Sequence, residues 1–310
     1  MSPIAFLFPG QGSQATGMGK ALADAYPAAK AVFEEADDAL AFPISRLCFE
    51  GPDDQLKLTE NTQPALLTVS IAAWSVLKEL GYRPDYVAGH SLGEYSALVA
   101  AGSLKFADAV RLVRHRGHYM QEAVPAGVGA MAAILRMPVE KLEGVLVEAA
   151  QGEVVSAANF NSPDQVVIAG NVGAVNRAVE LAKAAGAKRT VILPVSAPFH
   201  CALMEPAQAR LKVDLDATPF ADLEIPLINN WRAEIVHTGA EAREGLFHQV
   251  PGSVLWLDTV RKLIGAGVER CVEVGAGAVL CGLLKNIDAT RRSAKFGDPA
   301  DLEKVRELLA

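Results

Sequence analysis

Cysteine is scarce in this chain. The four present, Cys48, Cys201, Cys271 and Cys281, are widely scattered and make no metal-ligand spacing, so no metal is expected and free thiols in a reducing compartment are the simpler reading. Basic charge is not in excess either. Lys and Arg total 29 against 36 Asp and Glu, a formal net charge of −7, which disfavours general nucleic-acid binding while leaving room for a local basic patch that meets an acidic partner. Long apolar runs are missing. The one in MSPIAFLFPGQG stops after a few residues and follows no basic segment, so it reads as a first core strand. Neither a secretion signal nor a membrane span is indicated, and a cytoplasmic protein is expected. Repeats, low-complexity tracts and disordered linkers are absent too. What is present, 51% apolar and 21% charged residues over 310 positions, is the composition of a folded globule with one large domain or a large one and a smaller companion.

The most informative stretch is Gly89-His90-Ser91-Leu92-Gly93. Tyr86-Val87-Ala88 before it reads as a buried strand, and residues 91–101 after it read as a helix closed by Gly102. A serine at such a junction, with glycine two residues to either side, matches a nucleophile elbow, a strained strand-to-helix turn that presents Oγ. Helix-end amides there point toward any negative charge that develops beside it.

The rest of the chain sorts by what it brings to that serine. Strand Ile4–Phe8 leads into Pro9-Gly10-Gln11-Gly12, a close turn in which Gln11 could face a reacting carbonyl. A helix is expected over 66–80. Another should run from a Ser103 cap to about residue 121, with Phe106, Ala109, Val113, Arg116 and Met120 on one stripe. Arg116 therefore falls on an apolar face, where it needs an internal partner or an anionic ligand. Only six histidines compete for the role of base. His90 adjoins the serine but should point away from it, and His115 and His118 lie on the long helix. His200 stands at a loop-to-helix boundary, and no acid with a simple spacing offers to orient it.

Between residues 129 and 194 the predicted order is β-α-β-β-α-β, the split motif of a ferredoxin-like unit. Residues 159–163 are read there as a turn whose asparagines are turn residues. The expected organisation is a main α/β domain over 1–127 and 195–310, interrupted by a small subdomain over 128–194. Its mostly parallel sheet is covered by helices, and a charged tail begins at Ala289 and ends in a helix.

Six strings in order, FPGQGSQATGMG, GHSLGEYSALVAAG, RGHYMQEAVPAG, NFNSPDQVVIAG, PVSAPFHCALM and VEVGAGAVLCGL, resemble the malonyl-coenzyme A:acyl carrier protein transacylases of fatty-acid or polyketide synthesis, and the resemblance runs from end to end. It implies an α/β-hydrolase-like main domain with an inserted ferredoxin-like subdomain. It further implies Ser91 as nucleophile, His200 as base, the backbone carbonyl of Gln249 in place of an orienting acid, the amides of Gln11 and Leu92 as oxyanion hole, and Arg116 on the malonyl carboxylate. Phe199 resembles the malonyl-selecting form of its position. The chain departs from the family at Ala276, where proline is frequent, and at Ala197, where glycine is common. Malonyl-coenzyme A and holo acyl carrier protein are the implied partners of a monomer that needs no cofactor and engages neither nucleic acid nor membrane. Lys188 and Arg189 are candidate contacts for an acidic carrier. A thioesterase or other serine hydrolase, and a catalytically silent carrier-binding module, are the alternatives to transfer.

Overall fold

The computed structural model describes residues 2–195 and 197–310. Among the described residues ten strands form two sheets. The first comprises β1 (Ile4–Phe8), β2 (Tyr86–Gly89), β7 (Leu227–Ile228), β8 (Ile235–Val236), β9 (Arg270–Val274) and β10 (Arg292–Phe296), in the order β10-β9-β1-β2-β7-β8. All its pairings are parallel except β7 with β8. The second is antiparallel and comprises β3 (Gly129–Leu135), β4 (Val155–Ser162), β5 (Gln165–Asn171) and β6 (Arg189–Ile192), in the order β4-β5-β3-β6. With helices Leu142–Ala150 and Val172–Ala184 it has the ferredoxin-like arrangement.

Burial explains why β1 sits at the centre. Phe6 and Phe8 enter the core on one face and Ala5 and Leu7 the core on the other, the two-sided burial typical of a parallel sheet. Helix Thr59–Glu79, longer at its start than the apolar run alone suggests, covers one face and is buried along nearly its whole length. Pro64 lies inside that helix, past the first turn, so the bond its missing amide would make to Glu60 O is forfeited and burial of the surrounding helix has to offset it. In helix Phe106–Glu122 the predicted stripe is buried, Arg116 with it.

Three local readings need correction. Ser103 is not a helix cap: the helix begins at Phe106 behind Lys105, and Ser103 Oγ donates to Ala221 O. Asn159 and Asn161 are not turn residues. They belong to β4, whose pairing with β5 is irregular at two places, and the reversal falls at Pro163 and Asp164. The tail beyond Ala289 also holds a strand, β10, which closes one edge of the main sheet before helix Leu302–Leu309.

β1 and β2 are parallel neighbours with Phe8 opposite Gly89, so their carboxyl ends deliver Gln11 and Ser91 side by side. Open parallel sheets place their sites at such ends.

Candidate active site

The turn after β2 is enforced by sterics. A Cβ on Gly89 would collide with the backbone of Gly93, and one on Gly93 would collide with the carbonyl of Phe8. With both positions bare the chain passes Ser91 at φ 49° and ψ −104°, a conformation costly for any residue with a side chain. Asn230, just beyond β7, ties the turn down: Oδ1 accepts from Ser91 N at 2.7 Å and Nδ2 donates to Gly89 O at 2.7 Å. Leu92 then opens a helix, so its amide has no partner within it. Gln11 and Leu92 line the same cavity as Ser91.

Ser91 Oγ lies 2.8 Å from His200 Nε2, and His200 Nδ1 lies 2.9 Å from the main-chain oxygen of Gln249. A carbonyl only accepts, so Nδ1 carries the proton and Nε2 presents its lone pair to the serine. Burial, and then the nearby charge of Arg116, lower the imidazole from 6.5 to about 3. It is therefore a neutral base at any ordinary pH. His200 itself has φ 60°, a second strained backbone at the reacting pair.

Arg116 is 1% exposed and spends its bonds on uncharged groups: Nη1 donates to Gln63 Oε1 at 2.7 Å, and Nη2 to Gln249 Oε1 at 3.0 Å and Ser91 Oγ at 3.1 Å. Its Nε has no hydrogen-bond partner. A buried guanidinium among neutral acceptors, bordering the cavity beside the nucleophile, has the donor chemistry to pair with a carboxylate.

Phe199 is buried and lines the cavity wall with Met120, Met131 and Leu193. His90 does point away from Ser91: its Nε2 lies 2.8 Å from Asn161 Oδ1, and burial holds its imidazole below the ordinary value. His115 and His118 stand elsewhere, against Asp214 and Glu60. Gln63, Glu94, Asn230 and the side chain of Gln249 were not anticipated. Asn230 left a signal, a polar residue directly after a short apolar strand. Glu94 left a misleading one, since an acid in the first turn of a helix reads as an ordinary dipole partner.

Residues 5–287 match the acyl transferase domain family. The malonyl CoA-acyl carrier protein transacylase of Bacillus subtilis (strain 168) is 50% identical over 310 residues, covering 100% of this chain and 98% of its own. That of Escherichia coli (strain K12) is 47% identical over 309 residues, covering 99% and 100%. Among solved structures, an acyl carrier protein S-malonyltransferase from Vibrio cholerae superposes with a TM-score of 0.96 at 47% identity, covering 98% of this chain and 100% of that one. A malonyl-transacylase in complex with its type II PKS acyl-carrier protein gives 0.96 at 46% identity and 99% coverage of both chains. With the full length matched and the elbow, base and buried arginine in one cavity, the chain belongs to the malonyl CoA-acyl carrier protein transacylases of the acyl transferase domain family.

Proposed function

We propose that this enzyme moves a malonyl group from malonyl-coenzyme A to the phosphopantetheine thiol of holo acyl carrier protein, through a malonyl ester on Ser91. The observation that carries the reading is Arg116, a buried cation held by neutral groups 3.1 Å from a serine that is paired with a neutral histidine.

In the first half-reaction Nε2 of His200 takes the Ser91 proton as Oγ attacks the thioester carbon. The oxyanion forms against the amides of Gln11 and Leu92, and the Gln249 carbonyl supports the imidazolium. The C–S bond breaks, His200 returns the proton to the departing coenzyme A thiolate, and the ester remains. In the second half the carrier thiol gives its proton to His200, its sulfur attacks the ester, and Ser91 Oγ leaves with the proton. Thioester is exchanged for thioester with no net redox change, so the reaction itself calls for no cofactor. The malonyl carboxylate lies on Arg116, and Phe199 bounds the space beside the acyl carbon.

All these groups come from one chain, which suits a monomer. Four free thiols, three of them buried, suit a reducing compartment such as the cytoplasm, and no helix among the described residues is long and apolar enough to cross a membrane. Lys188 and Arg189, exposed at the start of the edge strand β6, suit an acidic carrier.

The test is intact-protein mass after brief exposure to malonyl-coenzyme A and then to holo carrier protein, with peptide mapping. A malonyl adduct on Ser91 that vanishes as malonyl-carrier accumulates is expected. Free malonate released at a rate indifferent to the carrier would mark a hydrolase, and no adduct on folded protein would mark a silent binding module.

A further inference from the structure

Beneath the nucleophile lies a carboxylate that the mechanism above does not use. Glu94 follows Ser91 by three residues, yet its side chain is turned into the protein and wholly buried. Oε2 accepts from the main-chain N–H of Asn230 at 3.0 Å and from Gln249 Nε2 at 2.8 Å, while Oε1 has no hydrogen-bond partner among the described residues. Both residues that Glu94 holds touch the reacting groups. Asn230 grips Ser91 N and Gly89 O, the two sides of the elbow. Gln249 holds His200 through its main chain and Arg116 through Oε1, and its Nε2 also reaches Ser91 O at 3.1 Å.

Hydrogen bonding alone does not account for an acid here, because a glutamine oxygen could accept the same two bonds. A dry carboxylate with one idle oxygen is costly unless a charge answers it. Arg116 is that charge. Its direct partners are uncharged, and the amide of Gln249 lies between it and Glu94 with the carbonyl toward the cation and the NH2 toward the anion, the orientation both charges favour.

We propose that Glu94 is a positioning residue for acyl transfer, a buried anion that fixes the elbow and the Gln249 amide and balances Arg116 until a substrate carboxylate arrives. The balancing half rests on the malonyl reading and the positioning half does not. Once the acyl carboxylate is bound, two anions share one cation, so Glu94 loosens the grip of Arg116 on the malonyl group.

Two variants and two readouts, taken at about pH 8.5 where the Glu94 carboxyl is ionised, test this. Glu94→Gln keeps an acceptor oxygen and removes the charge; Glu94→Ala removes both. A fluorophosphonate that labels Ser91 has no carboxylate for Arg116 to bind and so reports the elbow and its histidine, while steady-state acylation by malonyl- and acetyl-coenzyme A reports the pairing of the arginine with the acyl group. Folding of each variant is checked by thermal melting. Glu94→Ala should label about 100-fold more slowly, the cost typical of a small misplacement of reacting groups, and Glu94→Gln within about 3-fold of the parent. Glu94→Gln should lower KM for malonyl-coenzyme A about 5-fold and leave KM for acetyl-coenzyme A unchanged. Parental labelling by Glu94→Ala overturns the positioning role. Equal KM changes for the two donors, or none, overturn the balancing role; if the alanine variant does not fold, Glu94→Met, which fills the space without an acceptor oxygen, replaces it in the labelling comparison. A parent that labels with phosphonate but takes no malonyl group would sink the transfer reading while the labelling comparison still judges the positioning of Ser91.

Discussion

The main-chain oxygen of Gln249 stands 2.9 Å from His200 Nδ1, where a carboxylate would otherwise orient the base. A neutral carbonyl fixes the tautomer as well as an acid does but stabilises the imidazolium less, so the histidine stays neutral until the serine proton reaches it. Because the contact is made by backbone, it survives any substitution of the Gln249 side chain that leaves the helix Gly239–Gln249 intact.

That separation of roles makes Gln249→Ala informative. The carbonyl remains for His200, while Arg116 and Glu94 lose the amide between them. Fluorophosphonate labelling of Ser91 should stay within about 10-fold of the parent, and the preference for malonyl- over acetyl-coenzyme A should fall by a larger factor, as measured by competition between the two donors.

Arg116→Ala should lower kcat/KM for malonyl-coenzyme A by about 100-fold or more, consistent with loss of a charge-assisted pair worth about 3 kcal/mol, and spare acetyl-coenzyme A. Arg116→Lys should recover little, because one ammonium cannot reach Gln63, Gln249 and a substrate carboxylate together. Equal losses for both donors would assign Arg116 to structure alone.

Ser91→Gly should abolish acylation and yet raise stability by about 1 kcal/mol, because glycine relieves the strain at φ 49° and gives back part of the gain through its more flexible unfolded state. Chemical denaturation of the two proteins reads the difference. A less stable glycine variant would show that the elbow is not strained.

The pH dependence follows from His200. Its proton affinity in the folded protein is lowered to about 3 from 6.5, so between those values the unfolded chain binds a proton that the native one refuses. This group therefore makes stability fall as pH drops from 6.5 toward 3. Glu94, raised by burial to about 7 from 4.5, works the other way, since the native state keeps its proton while the unfolded state gives it up and stability falls as pH rises through that window. Urea unfolding at pH 4 to 6 should show a shallower acid-side loss for His200→Gln than for the parent. Identical slopes would mean that the imidazole titrates normally.

Phe199→Ser should enlarge the acyl side of the cavity and admit methylmalonyl-coenzyme A, raising its kcat/KM relative to the malonyl donor by about 10-fold, the scale set by one methyl group in an apolar pocket. An unchanged ratio would mean that the extra methyl points elsewhere.

What the chain settles by itself is local. Glycines at 89 and 93 allow a tight turn that no residue with a side chain could make there, alternation along Ile4–Phe8 makes a two-sided strand, and the three- and four-residue spacing that carries Arg116 buries it, all from sterics and periodicity within a few residues. Where local rules were followed too far they misled, as at Asn159 and Asn161, because a bulged strand and a tight turn draw on the same residue types. The partnership of Ser91 with His200 spans 109 positions, and that of Ser91 with Gln249 spans 158. No pattern along the chain fixes a distance of that kind. Only the order of strands in the main sheet brings those groups within hydrogen-bond reach. Only the exclusion of water around them lowers the proton affinity of His200, raises that of Glu94 and makes the Arg116 guanidinium costly to leave without an anion.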